Sequence, residues 1–127
     1  MIFFVHRTLS MDIFYYLKSC DTCRRIQKTL DLPDSVSLIN IKENPLSSEQ
    51  LAALFLKTNS YAALFNSRAQ LLRKRGLKAS ALSEENMRDL LLEHYSFLKR
   101  PVLIYQDELF IGNAPATIAA AEKVLLE

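Results

Sequence analysis

The chain has no tryptophan and, among 127 residues, only two glycines, four prolines, two histidines and two cysteines. Scarce Gly and Pro beside a hydrophobic fraction of 50% exclude a disordered or low-complexity chain. Two cysteines are too few for a disulfide-dense scaffold, and a close pair in a chain of this size points to a reducing cytoplasm where any disulfide is transient. The histidines, His6 and His94, lie far from the cysteines in sequence, so a four-ligand zinc site is not expected and the metal expectation is none. A formal charge of +2 is too small to imply direct nucleic-acid or membrane binding. No apolar run approaches the ~20 residues of a membrane span. The apolar stretch 1–5 is broken by His6 and Arg7, and no signal-peptide pattern follows. A second methionine, Met11, stands just before the first expected strand. Residues 1–10 therefore read as an N-terminal extension outside the core, and 11–127 as one domain large enough to bury a core.

What is present centres on Ser19-Cys20-Asp21-Thr22-Cys23-Arg24-Arg25. An aromatic, apolar run at 13–17 has strand character, and Ile26 and Leu30 fit one face of a following helix. A Cys-x-x-Cys pair between strand and helix is the sign of a thioredoxin-type redox site. Free backbone N–H groups and the positive end of the helix dipole favour thiolate over thiol. With an ordinary pKa near 8.5, only about 3% of a thiol is ionised at pH 7. Lowering it by roughly two units, a difference of about 2.7 kcal/mol, makes it mostly thiolate. Cys20 is the expected nucleophile and Cys23, one turn on, the resolving thiol; two buried structural cysteines are the competing reading. A tyrosine-phosphatase-like loop is excluded, because the sixth position after each cysteine holds Ile26 or Thr29 instead of arginine.

Along the chain, a helix over 22–30 and a strand over 36–41 complete a β-α-β unit with a parallel strand pair. Ser47 and Gln50 match a capping box before Leu51, Leu54 and Phe55. Residues 61–65 read as a short turn of helix. The basic run from Arg68 to Arg75 closes at Gly76, and Arg73, Lys74 and Arg75 read as a solvated face. Ser83 caps another helix, with His94 at its end. A proline-entered strand at 102–105, a turn at 106–108, a strand at 109–111 and a helix at 116–126 with proline leading in finish the chain.

This order is α/β: a thioredoxin-like fold, β-α-β then β-β-α on a mixed sheet, with a helical insertion at about 47–97. The chain resembles the arsenate reductase (ArsC)/Spx family, and within it the ArsC-like thiol reductases. The anchors are Ser19 to Arg24, Asn44-Pro45-Leu46-Ser47, Asn66-Ser67-Arg68, Lys99-Arg100-Pro101 and Phe110-Ile111-Gly112. The resemblance implies that Cys20 is the nucleophile, that Arg24 closes an anion-binding loop and that Arg100 contacts a substrate oxyanion. It also implies that Pro101 is a cis proline holding backbone near the reactive cysteine. Family arsenate reductases use three arginines. Here only Arg100 keeps its place, Asn66 stands at the first position and Asn113-Ala114 near the third, while Arg68 is a substitute cation.

The implied function is a cytoplasmic thiol–disulfide oxidoreductase acting on a small oxyanion or mixed-disulfide substrate. Asn66, Arg68, Arg24 and Arg100 would bind the anion. No cofactor is held, and glutathione or another thiol is the reductant. Cys23, where family arsenate reductases generally carry serine, implies as alternative an Spx-like redox-sensing regulator that binds the RNA polymerase alpha subunit. Genuine arsenate reduction is a further alternative.

Overall fold

The computed structural model describes residues 11–127. The extension expected at 1–10 lies outside the described residues. The described residues divide into two compact units, one built from residues 11–40 together with Arg100–Glu127, the other from Ile41–Lys99.

The first unit holds a four-stranded mixed sheet in the order β2-β1-β3-β4. β1 (Ile13–Tyr16) runs parallel to β2 (Ser37–Asn40), with Phe14 opposite Leu38. The crossover between them is α1 (Asp21–Leu30), as a parallel pair requires. β3 (Val102–Tyr105) lies antiparallel to β1, with Leu103 opposite Phe14, and turns through a hairpin into β4 (Glu108–Ile111). The hairpin loop is Gln106 and Asp107, both at positive φ, so it is a residue shorter than expected. Helix α5 (Pro115–Leu126) begins with its proline in the first turn, where the missing N–H has no partner to lose.

Side chains alternate across the sheet, so Phe14 and Leu103 face one way and pack with Ile26 and Leu30 of α1 and Ala121 of α5. Burying each large side chain of this cluster contributes about 1.5–3 kcal/mol. Tyr15 and Val102, of opposite parity, are also buried. Strands β1 and β2 are shorter than the apolar runs suggest: Leu17, Val36 and Ile41 stay buried but lie outside the ladder. Helix α1 stops because Asp31 adopts the left-handed conformation at φ 48, two residues ahead of Pro33.

The second unit is helical. The expected capping box is formed: Ser47 accepts from the Gln50 N–H and Gln50 from the Ser47 N–H, opening α2 (Ser48–Thr58). A second box, Ser83 with Asn86, opens α4 (Glu84–Glu93). Between them lie a short α3 (Gln70–Lys74) and a 3₁₀ turn (Ala79–Ala81); a second 3₁₀ turn (Tyr95–Phe97) follows α4. One expectation needs correction. Residues 61–65 form a hydrogen-bonded turn instead of α-helix, because the Glu84 carboxylate accepts the N–H groups of Tyr61 and Ala62 and Phe65 pairs with Leu98. Arg75 is exposed, as expected of a solvated face, and there it pairs with Glu93 through both guanidinium ends and lies 5.7 Å over the ring of Phe97.

Among the described residues no helix is long and apolar enough to cross a membrane. Among those residues, too, no three His, Cys, Asp or Glu side chains cluster as a metal site.

Candidate active site

The redox turn is built where β1 gives way to α1. The Cys20 N–H bonds the Leu17 carbonyl at 3.0 Å, which folds the chain back, and the Cys20 carbonyl accepts from the Arg24 N–H at 3.1 Å. Cys20 is thereby the N-cap of α1, and its Sγ takes the capping bond from the Cys23 N–H at 3.4 Å. A sulfur here plays the part that a serine or aspartate oxygen usually plays. An anion at this position meets both an unpaired helical N–H and the positive end of the helix.

The two thiols are unlike. Cys20 is half-buried, and Cys23 is fully buried. Partial burial opposes ionisation of Cys20, but the Cys23 backbone N–H and thiol and the Arg100 guanidinium outweigh it and hold Cys20 below its ordinary value. Burial pushes Cys23 up to about 11; a backbone bond from Leu17 opposes this and the neighbouring Cys20 adds to it. Of the two thiols, Cys20 is therefore the one that ionises first as pH rises.

Arg100 stands two residues before β3, and its peptide bond to Pro101 is cis. It is the cation that acts on Cys20. Its Nε and Nη1 are buried, and among the described residues nothing accepts a hydrogen bond from either. Buried guanidinium N–H groups without a partner carry a desolvation cost of about 1–3 kcal/mol or more. Such a cost is offset when an incoming anion takes the two bonds. The Pro101 carbonyl is fixed by the Gly112 N–H at 2.8 Å, with Gly112 at φ 87.

Arg24 has a different environment. Its Nη1 donates to the Lys18 carbonyl at 3.3 Å and its Nη2 pairs with Asp21, so it straps the cysteine turn from outside. The groups that set the Cys20 ionisation include Arg100 and not Arg24. Arg24 also lines an open groove of about 620 Å³ with Gln27, Lys28, Asp31, Val36 and Leu38.

Asn66 and Arg68 belong to the helical unit. Asn66 Oδ1 accepts from the Arg68 N–H at 3.1 Å, and Nδ2 donates to the Ser96 carbonyl at 3.3 Å. Arg68 lines a depression of about 380 Å³ with Ser67, Ala69 and Arg73. The structure thus joins Cys20, Cys23 and Arg100 in one electrostatic group, ties Arg24 to Lys18 and Asp21, and gives Asn66 partners in its own unit. Sequence reasoning passed over Asp21 as the partner of Arg24, although i,i+3 spacing signals such a pair. It also passed over Ser96, which no local pattern marks.

A cysteine-sulfur N-cap between the first strand and first helix of a four-stranded mixed sheet, with a cis proline just ahead of the third strand, defines a thioredoxin-like protein. The chain belongs to the ArsC family, whose model matches residues 15–121. It is 30% identical over 103 residues to the protein YusI of Bacillus subtilis (strain 168), covering 78% of this chain and 87% of that one. It is 25% identical over 112 residues to the regulatory protein MgsR of the same organism, covering 87% and 89%. The solution structure of an arsenate reductase (ArsC) related protein from Brucella melitensis superposes with a TM-score of 0.66 at 25% identity, covering 88% of this chain and 94% of that chain.

Proposed function

We propose that the protein is a cytoplasmic, glutathione-dependent thiol–disulfide oxidoreductase with Cys20 as its nucleophile. The Cys20 thiolate attacks the substrate-side sulfur bond of a glutathione mixed disulfide. A Cys20–glutathione disulfide forms and the other thiol leaves as thiolate. Cys23 then gives up its proton and attacks the Cys20 sulfur, releasing glutathione as thiol and leaving a Cys20–Cys23 disulfide. External glutathione, two molecules per turnover, returns the pair to dithiol and leaves as glutathione disulfide. A second glutathione can instead resolve the adduct directly. Arg100 and Arg24 bind the negative charge of the substrate, and Arg68 is read as a further cation.

The observation that carries this reading is the Arg100 guanidinium, which acts on Cys20 and has two buried N–H-bearing nitrogens free for an anion. Steady-state reduction of the mixed disulfide of glutathione and 2-mercaptoethanol tests it. Wild type is expected to turn over, and Cys23→Ser to accumulate a single glutathione adduct on Cys20, seen by intact mass. Absence of both turnover and adduct would overturn the assignment. The likeness to the regulatory protein MgsR favours a second reading, in which the Cys20–Cys23 disulfide alters a surface that binds the RNA polymerase alpha subunit. Oxidation-dependent capture of that subunit, without mixed-disulfide turnover, would select it. Arsenate turnover lost in Cys20→Ser would select the arsenate reductase alternative.

A further inference from the structure

Helix α1 turns Cys23, Ile26 and Leu30 to the core. Beside them Arg24, Gln27, Lys28 and Asp31, at i, i+3, i+4 and i+7, make a polar stripe along one side of the helix. Leu38 stands opposite Phe14 in the β1–β2 register, so it shares the sheet face on which α1 packs. It is nonetheless 48% exposed, because β2 is the edge strand. The strip left open is the groove of about 620 Å³, with Leu32, Val36 and Leu38 as its apolar side and the stripe of α1 as its polar side. The Ser37 N–H bonds to the Asp12 carbonyl at 2.9 Å, which turns the Ser37 main chain towards β1. Leu38, next along, therefore presents its N–H and carbonyl outward, where among the described residues no strand meets them. The charges are ordered as well. Arg24 and Lys28 lie nearer the Cys20 end of α1, with Asp31 and Asp34 beyond its last turn. Among the described residues Lys28, Asp31 and Asp34 have no ion-pair partner.

We propose that this groove docks an extended peptide segment of a protein partner, which pairs antiparallel with the outer edge of β2 and lays acidic, apolar and basic side chains in turn along the groove. Main-chain pairing supplies affinity in such strand addition, and alternate side chains supply selectivity. Side chains at i, i+2 and i+4 of an extended chain face one way and span about 13 Å. The stripe from Arg24 to Asp31 runs about 10 Å along α1, so three such side chains fit. Helix α1 runs away from Cys20 and β2 returns, so an antiparallel peptide enters at Arg24 with its acidic residue and leaves at Asp31 and Asp34 with its basic one. The middle, apolar side chain meets Leu38. The groove starts at Arg24, which straps the Cys20 turn. The role of the docked segment rests on the reading above, since it makes a protein the source of the mixed disulfide that Cys20 attacks; the docking itself needs no thiol.

The test titrates the full chain with the heptapeptide acetyl-Ser-Glu-Thr-Leu-Thr-Lys-Ser-amide by calorimetry and follows amide hydrogen exchange at Leu38. Saturable binding is expected, weakened about tenfold or more when the peptide leucine is replaced by serine. Exchanging the peptide's Glu and Lys should weaken it about fivefold. Leu38→Glu should abolish binding, and Asp31→Asn combined with Asp34→Asn should narrow the difference between the two charge orders. Should Leu38→Glu fail to fold, the asparagine pair decides. Exchange at the Leu38 amide should slow about tenfold or more at saturating peptide. No saturable binding, equal affinity for both charge orders, or unchanged Leu38 exchange at saturation would each overturn the proposal. Slow Leu38 exchange in the peptide-free protein would overturn it too: the edge is then covered from within the chain, or by a second copy where the protection grows with protein concentration. Turnover of the glutathione and 2-mercaptoethanol mixed disulfide without peptide binding would remove the docking site and leave the proposed chemistry standing. Peptide binding without that turnover would support the docking site and remove the chemistry.

Discussion

Cys20→Ser is expected to lower kcat for glutathione mixed disulfides by at least about a thousandfold, because a hydroxyl neither ionises near neutral pH nor forms a disulfide. The loss is chemical and not structural. Cys20 is half-buried at the start of α1, and serine is among the preferred N-caps, so its Oγ can take over the bond from the Cys23 N–H. Thermal unfolding of the variant should therefore stay close to wild type. Cys23 does not rescue the activity, since burial keeps it protonated with a pKa of about 11. A variant retaining a tenth of wild-type turnover would transfer the nucleophile to Cys23 and contradict the site as described.

The second large effect is on stability. Phe97→Ala should cost about 3–5 kcal/mol, the range for truncating a fully buried phenylalanine. The Phe97 ring is 0% exposed and stacks on Phe65 at 5.6 Å. His94 meets it edge-on at 6.1 Å, and Arg75 lies over it. Truncation leaves a cavity beneath the segment whose carbonyls hold Asn66, and it strands the Arg75 stem from its ring. Against a total of about 5–15 kcal/mol for a domain, such a loss is severe. Urea denaturation measures it, and a cost below about 1 kcal/mol would mean that the helical unit does not depend on this ring.

Much of this architecture is legible in the sequence because local chemistry and tertiary structure agree. Ser47-x-x-Gln50 forms its box, Pro115 leads its helix, and the apolar runs at 13–17 and 102–105 become adjacent strands. The Cys20–Cys23 spacing foretells a helix start, since a thiol that caps a first turn must sit three residues before the N–H it accepts. What escaped depends on partners distant in sequence. The turn at 61–65 is shaped by Glu84, more than 20 residues on, and the Asn66 side chain by Ser96. Arg75 looked like one more cation in a basic run, and only the fold brings Glu93 and Phe97 to it. Arg24 drew attention for its charge beside a thiolate. Its bonds to Lys18 and Asp21 are those of a loop strap, and the cation acting on Cys20 comes from Arg100, 80 positions away.

The unequal thiols give a definite pH dependence. The Cys20 folded-state pKa is depressed, so its thiolate fraction rises with pH through a midpoint below the ordinary cysteine value. Cys23 contributes only on approaching pH 11. Iodoacetamide should therefore label Cys20 alone at neutral pH. Its rate against pH, taken in Cys23→Ser to remove the second thiol, reports the Cys20 midpoint with the Cys23 N–H still in place. That profile, run beside Arg100→Leu, is the most direct measurement of an activated Cys20. The midpoint should fall clearly below the unperturbed value of about 8.5 and move up when Arg100 is lost. A midpoint near 8.5 that ignores Arg100→Leu would contradict the activated thiolate on which the proposed chemistry depends.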